Sequence, residues 1–392
     1  MTEPLNVVVI GGGYAGVIAA NHLRLNGDIA ITLINPRPQF VERIRLHQLV
    51  TGSDDAVEEY ADVLGADIRL VVDTAERIDA AARVVTLGSG GTISYDYLIY
   101  AVGSKGAALT VPGAAEFAYP ISELEHAEPL RVAMAALASA APVTVVGAGP
   151  TGIETAAELG EQGYATTLVC GGVLGPYLAG PARKAVAKRM RKLGVAVVDG
   201  PGAKVTEVRE RAVVLADGRE LASAVTIWTA GFGVPDLAAR SGLATDAIGR
   251  LLTDETLTSV DNPYIVAAGD ASAPSDSPLR MSCQAAIPLG AQAANTVLSR
   301  IAGTEPAVVN QAFTGQCISL GRKSAIIQLA HLDDRVMPIY VAGRAAAPVK
   351  EAVCKGTVSF LAKEARKPGS YFWLKGGKRA RRLAEAKAAA VR

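Results

Sequence analysis

Two glycine-rich turns carry the first chemistry legible in this chain, Gly11-Gly12-Gly13-Tyr14-Ala15-Gly16 and Gly147-Ala148-Gly149-Pro150-Thr151-Gly152. In a G-x-G-x-x-G turn the first glycine permits the bend, the second lets backbone N–H groups approach a pyrophosphate, and the third lets helix lie close on strand. The positive end of the helix that follows favours the same anion. One chain thus has room for two dinucleotides. A third element is Gly269-Asp270, which closes the apolar run Tyr264–Ala268 and sets a carboxylate where doubly wound sheets bind their ligands. Glu154 follows the second turn closely enough to fall in the first helical turn, where the helix dipole favours a carboxylate.

The elements that must position these residues repeat. Val7–Ile10 and Val143–Val146 are short β-branched runs of the kind buried in parallel sheets, and each leads into its turn and then into helical periodicity, Ala15 to Leu25 and Ile153 to Leu159. Second strands are expected at Ile29–Ile34 and Thr166–Val169. Tyr97–Gly103 and Val225–Gly231 are again strands that end in a small residue and glycine, so the halves read as a duplication. Asp217-Gly218 signals a hairpin. A helix is expected from Ser282 to Ala302, and a small α/β unit after it with strands near Ile318–Leu320, Ala325–Gln328 and Met337–Val341. The expected domains are residues 1–112 with 250–310, an inserted 113–249, a C-terminal unit 311–362 and a basic tail 363–392.

At 392 residues the chain exceeds one compact core, and 50% apolar with 20% charged residues suits an α/β protein rich in tight turns. No apolar run approaches the roughly 20 residues that span a bilayer. Leu5–Ile10 is too short and lacks the basic flank of a signal peptide, so the expected location is cytoplasmic, with the inner membrane face as an alternative. Cys170, Cys283, Cys317 and Cys354 form no CxxC or CxxxxC pair, and four histidines make no HExxH, so neither a redox dithiol nor a metal centre is expected. From Lys363 to Arg392, ten basic residues face two acidic ones in a chain whose net charge is only +1. That tail reads as a contact for an anionic surface.

In this order and spacing, Gly11–Gly16, Tyr100-Ala101-Val102-Gly103, Val145–Glu154, Ile227–Phe232 and Tyr264–Asp270 resemble the two-dinucleotide-binding flavoprotein superfamily over about residues 5–300. Phe40–Gly52 and Val143–Glu154 are most similar to type II NADH dehydrogenases and the apoptosis-inducing-factor group. The resemblance implies an α/β fold with two Rossmann-like domains, the second inserted into the first, and a small C-terminal α/β unit. It implies FAD in the first domain, NADH or NADPH in the second, and hydride transfer to the flavin with electrons passed to a quinone-like acceptor. By the same resemblance Gly11, Gly13 and Gly16 hold the FAD pyrophosphate and Asp270 the ribityl chain, with Tyr14, Ala15, Asn35, Arg37, Gly103, Gly269, Gln284 and Ala285 completing that cofactor site. Gly147, Gly149 and Gly152 hold the NAD(P)H pyrophosphate, with Thr151, Cys170 and Gly231 beside them. Glu154, Gln284, His47 and Lys350 are the residues expected at the hydride and acceptor chemistry.

Three departures stand out against that family. Asn35 occupies the place of the carboxylate that grips the adenosine ribose, and Cys170 that of the acidic selector against a 2′-phosphate, so NADH and NADPH are both expected to serve. Gln284 keeps the first glutamine of the quinone motif, but Pro288 replaces the second. Disulfide reductases of this scaffold need a dithiol that residues 38–52 lack. The alternatives are a soluble NAD(P)H reductase for an iron–sulfur protein or small oxidant, and a slow redox-sensing flavoprotein. No nucleic-acid partner is expected, a homodimer is compatible, and peripheral membrane contact is assigned to the tail.

Overall fold

The computed structural model describes residues 4–138 and 140–390. The first half comprises β1 (Leu5–Ile10), α1 (Tyr14–Leu23), β2 (Ile29–Asn35), α2 (Leu46–Thr51), β3 (Arg69–Val72) and β4 (Tyr97–Tyr100). The second comprises β5 (Ala118–Pro120), β6 (Pro142–Val146), α3 (Pro150–Glu161), β7 (Ala165–Val169), β8 (Ala196–Val198) and β9 (Val225–Trp228). The chain then returns to the first half with β10 (Ile265–Ala267) and α4 (Cys283–Ile301). Last come β11 (Gly315–Ser319), β12 (Ala325–Ala330), β13 (Val336–Gly343), α5 (Ala346–Arg366) and α6 (Arg379–Ala390).

Two parallel five-stranded sheets follow, in the orders β10-β4-β1-β2-β3 and β5-β9-β6-β7-β8. In each, the strand that feeds the glycine turn is central, flanked by the second strand and by the strand ending in glycine. Each half also carries a three-stranded antiparallel sheet, residues 75–94 in one and 205–222 in the other. Val7–Ile10 are all buried because α1 and α4 cover one face of the sheet, over Val7 and Val9, and the antiparallel sheet 75–94 covers the other, over Val8 and Ile10.

Helix α4 packs on α1 so closely that a Cβ on Gly290 would collide with the Ala15 carbonyl and the Ile18 side chain. This contact holds the first glycine turn and the start of α4 at one end of the sheet. Ser282 caps α4, its hydroxyl accepting the Ala285 N–H at 3.3 Å. Pro288 inside α4 removes the N–H that the Gln284 carbonyl needs, and the Gln311 amide supplies the missing donor at 3.2 Å. The backbone acceptor that Pro288 leaves open is thus satisfied by a side chain.

The segment expected as a basic tail, 363–392, is tied to the body of the protein. The division between 362 and 363 falls inside α5, and Glu364 is fully buried, accepting from His22 Nδ1 at 2.6 Å and from the amides of Gly369 and Tyr371 at 2.6 and 2.7 Å. Beyond it Asn310 Oδ1 accepts the Gly376 amide at 2.8 Å, and Arg379 grips Glu255 through two bonds of 2.7 and 2.9 Å. The charges of this stretch are partly spent on the body of the protein. Arg392 lies outside the described residues.

Candidate active site

Both glycine turns have the geometry of a phosphate cradle. Gly11 (φ +104°) and Gly147 (φ +109°) take the left-handed backbone, and a Cβ at either would strike the neighbouring strand end, at Ala101 or at Thr229 and Ala230. A Cβ on Gly16 or Gly152 would collide with the carbonyl of the first glycine of its turn. Gly13 and Gly149 instead face open space, with nothing within 4 Å of a Cβ built there. The first and third glycines serve packing, while the second leaves the backbone free for a ligand.

Asp270 lies at the end of β10, where Ser104 Oγ donates to its Oδ2 at 2.7 Å. Arg43 reaches the same serine, donating to Ser104 O at 2.7 Å and to its hydroxyl at 3.0 Å. Asp270 Oδ1 is buried and, among the described residues, has no partner. Burial pushes its carboxyl up, against the pull of Ser104, Arg43 and the Ser282 N–H. A buried carboxylate oxygen aimed at nothing fits a ligand hydroxyl. The Tyr14 hydroxyl is buried near Thr357, and its ring packs edge-on against Phe40, centroids 5.1 Å apart. The open Asp270 oxygen is one that an FAD would satisfy. Asn35 accepts the Gly12 amide at 2.9 Å and donates to Arg37 O at 2.8 Å, so its amide braces the turn. Arg37 is held by Glu125 through bonds of 2.6 and 2.7 Å.

Three of the four residues expected at the chemistry meet. Lys350 Nζ lies 3.1 Å from Glu154 Oε1, which also accepts the Ser319 amide at 2.9 Å. His47 stands between Glu154 and Glu158, with Nδ1 4.0 Å from Glu154 Oε2 and Nε2 3.7 Å from Glu158 Oε1. All of these side chains are buried. Burial pushes Glu154 up, but Lys350, His47 and the Ser319 N–H outweigh it and hold its carboxyl below the ordinary range. Burial pushes Lys350 down, and Glu154 reverses that, so the ammonium persists. Burial wins at His47, which is held below its ordinary value against both glutamates. The arrangement is a buried carboxylate–ammonium pair with a neutral imidazole behind it, able to hold a proton or direct a hydrogen bond at a reacting oxygen.

Gln284 stands apart from this cluster. Its nitrogen reaches Gly315 O at 3.0 Å and its oxygen Thr314 Oγ1 at 2.9 Å, which ties the start of α4 to β11. Ala285 is buried behind it, and Gly103, Gly231 and Gly269 all take positive φ at strand ends. Thr151 lies in the first turn of α3, its carbonyl accepting Thr155 Oγ1 at 2.7 Å. Cys170 ends β7, and burial pushes its thiol up to about 12.

The sequence reading missed several neighbours. Glu158, four residues after Glu154 on α3, accepts Thr51 Oγ1 at 2.7 Å and faces Arg322 at 3.5 Å. Cys354, four after Lys350 on α5, receives its ammonium at 3.1 Å. Both spacings bring side chains onto one helix face and were available as a signal. Arg45 joins the loop before α2 to α5, meeting Glu42 at 3.3 Å, Asp54 at 3.2 Å and Glu351 at 3.0 Å. Burial pushes Glu42 up to about 7 despite that arginine.

Residues 5–290 match the model of the pyridine nucleotide-disulphide oxidoreductases. The chain is 32% identical to an NADH dehydrogenase-like protein of Mycobacterium tuberculosis over 75% of its length and 80% of the relative's. It is 28% identical to the type II NADH:quinone oxidoreductase Ndh of the same organism, over 77% and 74%. Among solved structures, the sulfide:quinone oxidoreductase of Aquifex aeolicus superposes with a TM-score of 0.81 at 22% identity, covering 93% of each chain. The NDH2 of Plasmodium falciparum in complex with NADH gives 0.75 at 15%, covering 94% of this chain and all of that one. With two glycine cradles on duplicated parallel sheets and a family match across 5–290, the chain belongs to the pyridine nucleotide-disulphide oxidoreductase family.

Proposed function

We propose that this protein is an FAD-dependent NAD(P)H oxidoreductase that passes electrons to a quinone-like acceptor. The observation that carries the reading is the buried Lys350–Glu154 pair, 3.1 Å apart, set at the start of the helix that follows the second cradle. Relatives named NADH dehydrogenase-like and NADH:quinone oxidoreductase support the substrate classes. Gly11, Gly13 and Gly16 with Asp270 would hold FAD, and Gly147, Gly149 and Gly152 the reduced nicotinamide dinucleotide. FAD supplies a two-electron carrier between nicotinamide and acceptor. Around it, Glu154 is kept ionised by Lys350, and Lys350 offers a persistent ammonium to an acceptor oxygen as negative charge develops there. Ser319 fixes Glu154 through its amide. His47 is held neutral by burial, so its ring can donate one hydrogen bond and accept another.

The nucleotide assignment gives a first prediction. No carboxylate stands at position 170 to repel a 2′-phosphate, so kcat/KM for NADH and NADPH should agree within about tenfold, a difference of ~1.4 kcal/mol. Cys170→Glu should then shift that ratio toward NADH by about tenfold or more. Anaerobic titration with each nucleotide, then reoxidation with menadione, tests both the ratio and the activity. A chain that takes up no flavin ends the reading, and a wild-type preference above about a thousandfold places selection at another residue.

We also propose peripheral contact with a membrane surface. Among the described residues, no helix is long and apolar enough to cross a membrane. Helix α5 exposes Val349, Val353 and Phe360 on one face, and Phe372 is 79% exposed nearby through the Phe360–Tyr371 contact. Lys355, Lys363 and Lys367 are exposed on the same segment. We expect salt-sensitive binding to anionic vesicles, weakened about tenfold in Phe360→Ser/Phe372→Ser. Truncation at 362 would remove Glu364 from His22 and damage the fold, so sedimentation of the full-length variant is the cleaner measurement. Equal sedimentation with neutral and anionic vesicles would remove the proposal.

A further inference from the structure

Two clefts with wall residues in common border the C-terminal unit, one facing α2 through Gln48 and the other facing the second domain. The inner one, about 410 Å³, has Lys350, Cys354 and Ser319 in its lining, so it opens onto the groups that hold Glu154. The outer one, about 620 Å³, runs from helix Gly180–Lys192 to the end of β13. They share Lys323, Ser324 and Arg344.

The lining is strongly cationic in a chain whose net charge is only +1. Lys188, Arg189 and Lys192 come from the helix, and Arg322, Lys323 and Arg344 from two separate segments of the C-terminal unit. The two carboxylates present are already engaged. Glu161 is held by Arg189 at 3.0 Å and by the Arg322 amide at 2.6 Å. Glu351 is held by Arg45 at 3.0 Å and Arg322 at 3.2 Å. Among the described residues, Lys188, Lys192, Lys323 and Arg344 have no carboxylate in ion-pair range. Segments distant in sequence therefore converge unpaired cations on one groove, where low-dielectric walls focus their field on whatever enters.

We infer that the two clefts form a cationic entrance which draws a small anionic electron acceptor to the Lys350–Glu154 pair. The inference rests on the proposed acceptor site and adds the charge of its substrate. A groove of a few hundred Å³ suits a small molecule, and its positive surface would steer an anion inward and raise its rate of capture. Lys323 and Arg344, common to both clefts, are the residues placed to set this selectivity.

The test compares 1,4-naphthoquinone-2-sulfonate with neutral menadione in wild type and in Lys323→Glu/Arg344→Glu, with FAD content checking that the variant is folded. The ratio of their kcat/KM values divides out common effects on the enzyme. In wild type it should fall about tenfold as the Debye length shrinks from ~30 Å at about 0.01 M salt to ~3 Å at about 1 M. In the variant it should lie about tenfold below wild type at low salt. Calorimetric binding of the sulfonate without nucleotide should weaken in parallel. A ratio insensitive to salt, and equal in both proteins, overturns the entrance. If neither quinone reoxidises the reduced protein, the quinone reading fails by itself, and ferricyanide still decides the entrance. Its rate should drop with salt in wild type and not in the variant, and any other pattern overturns the inference.

Discussion

Asp270→Ala should purify with less than about a tenth of the FAD bound by wild type. The carboxylate receives one internal hydrogen bond, from Ser104 at 2.7 Å, and its other oxygen is buried without a partner among the described residues. That oxygen is therefore available to accept from a ligand hydroxyl. A hydrogen bond to a charged group contributes about 1.5–3 kcal/mol, so its loss weakens binding roughly 10- to 150-fold. Asp270→Asn keeps the shape and one acceptor oxygen and should retain more flavin than alanine does. Burial already raises the Asp270 carboxyl, so the flavin-free chain bears a cost for this charge that the alanine removes. Flavin loss should therefore exceed any loss of stability. The flavin-to-protein absorbance ratio after dialysis measures it, and full occupancy in Asp270→Ala would remove Asp270 from the FAD site.

The scaffold was readable because its constraints are local. A turn that needs φ near +104° at Gly11 and backbone contact at Gly16 can use little but glycine, and the strands beside it are continuous β-branched runs. The duplication followed from the same local signals. It reappears as two sheets with equivalent strand orders. Even α4 was bounded by its Ser282 cap.

What the sequence hid depends on partners far apart in the chain. Glu154 and Lys350 could each be named, but nothing local to either states that they lie 3.1 Å apart. His47 faces two carboxylates through packing of α2 on α3, a tertiary contact. The tail shows the opposite failure, since a run of like charge suggests a solvated arm. Its meaning changed because Arg379 finds Glu255 and Glu364 finds His22. Charge counted along a chain gives total attraction, while the attraction left for a partner depends on which charges the fold has already paired.

The buried pair itself sets the second large expected effect, in Lys350→Met. Removing one partner of a buried ion pair costs about 3–5 kcal/mol, because the other charge is left desolvated. The Glu154→Gln/Lys350→Met double variant should regain much of that loss, since neither charge remains. The pH dependence has a defined sign. The folded carboxyl of Glu154 lies below its ordinary value, so its stabilisation is present above the unfolded value of about 4.3 and lost as pH falls through the folded one. The folded ammonium of Lys350 lies above its ordinary value, so its stabilisation is present below about 10.4 and lost as pH rises through the folded one. Between about pH 5 and 10 the wild-type pair therefore contributes a constant amount. In Lys350→Met burial dominates at Glu154, its folded value rises above the unfolded one, and the variant gains stability as pH falls. The gap between wild type and variant should narrow toward acid; Glu42 titrates alike in both proteins and cancels in the difference, while His47, relieved of the Lys350 charge in the variant, is raised there and narrows the gap in the same direction. Urea unfolding of the FAD-loaded proteins from about pH 5 to 8 measures it. Reoxidation by quinone should slow at least about tenfold, and more than reduction by NAD(P)H does, because the ammonium acts on the acceptor. A cost below about 1 kcal/mol, constant across this range, would mean that water, not Lys350, balances Glu154.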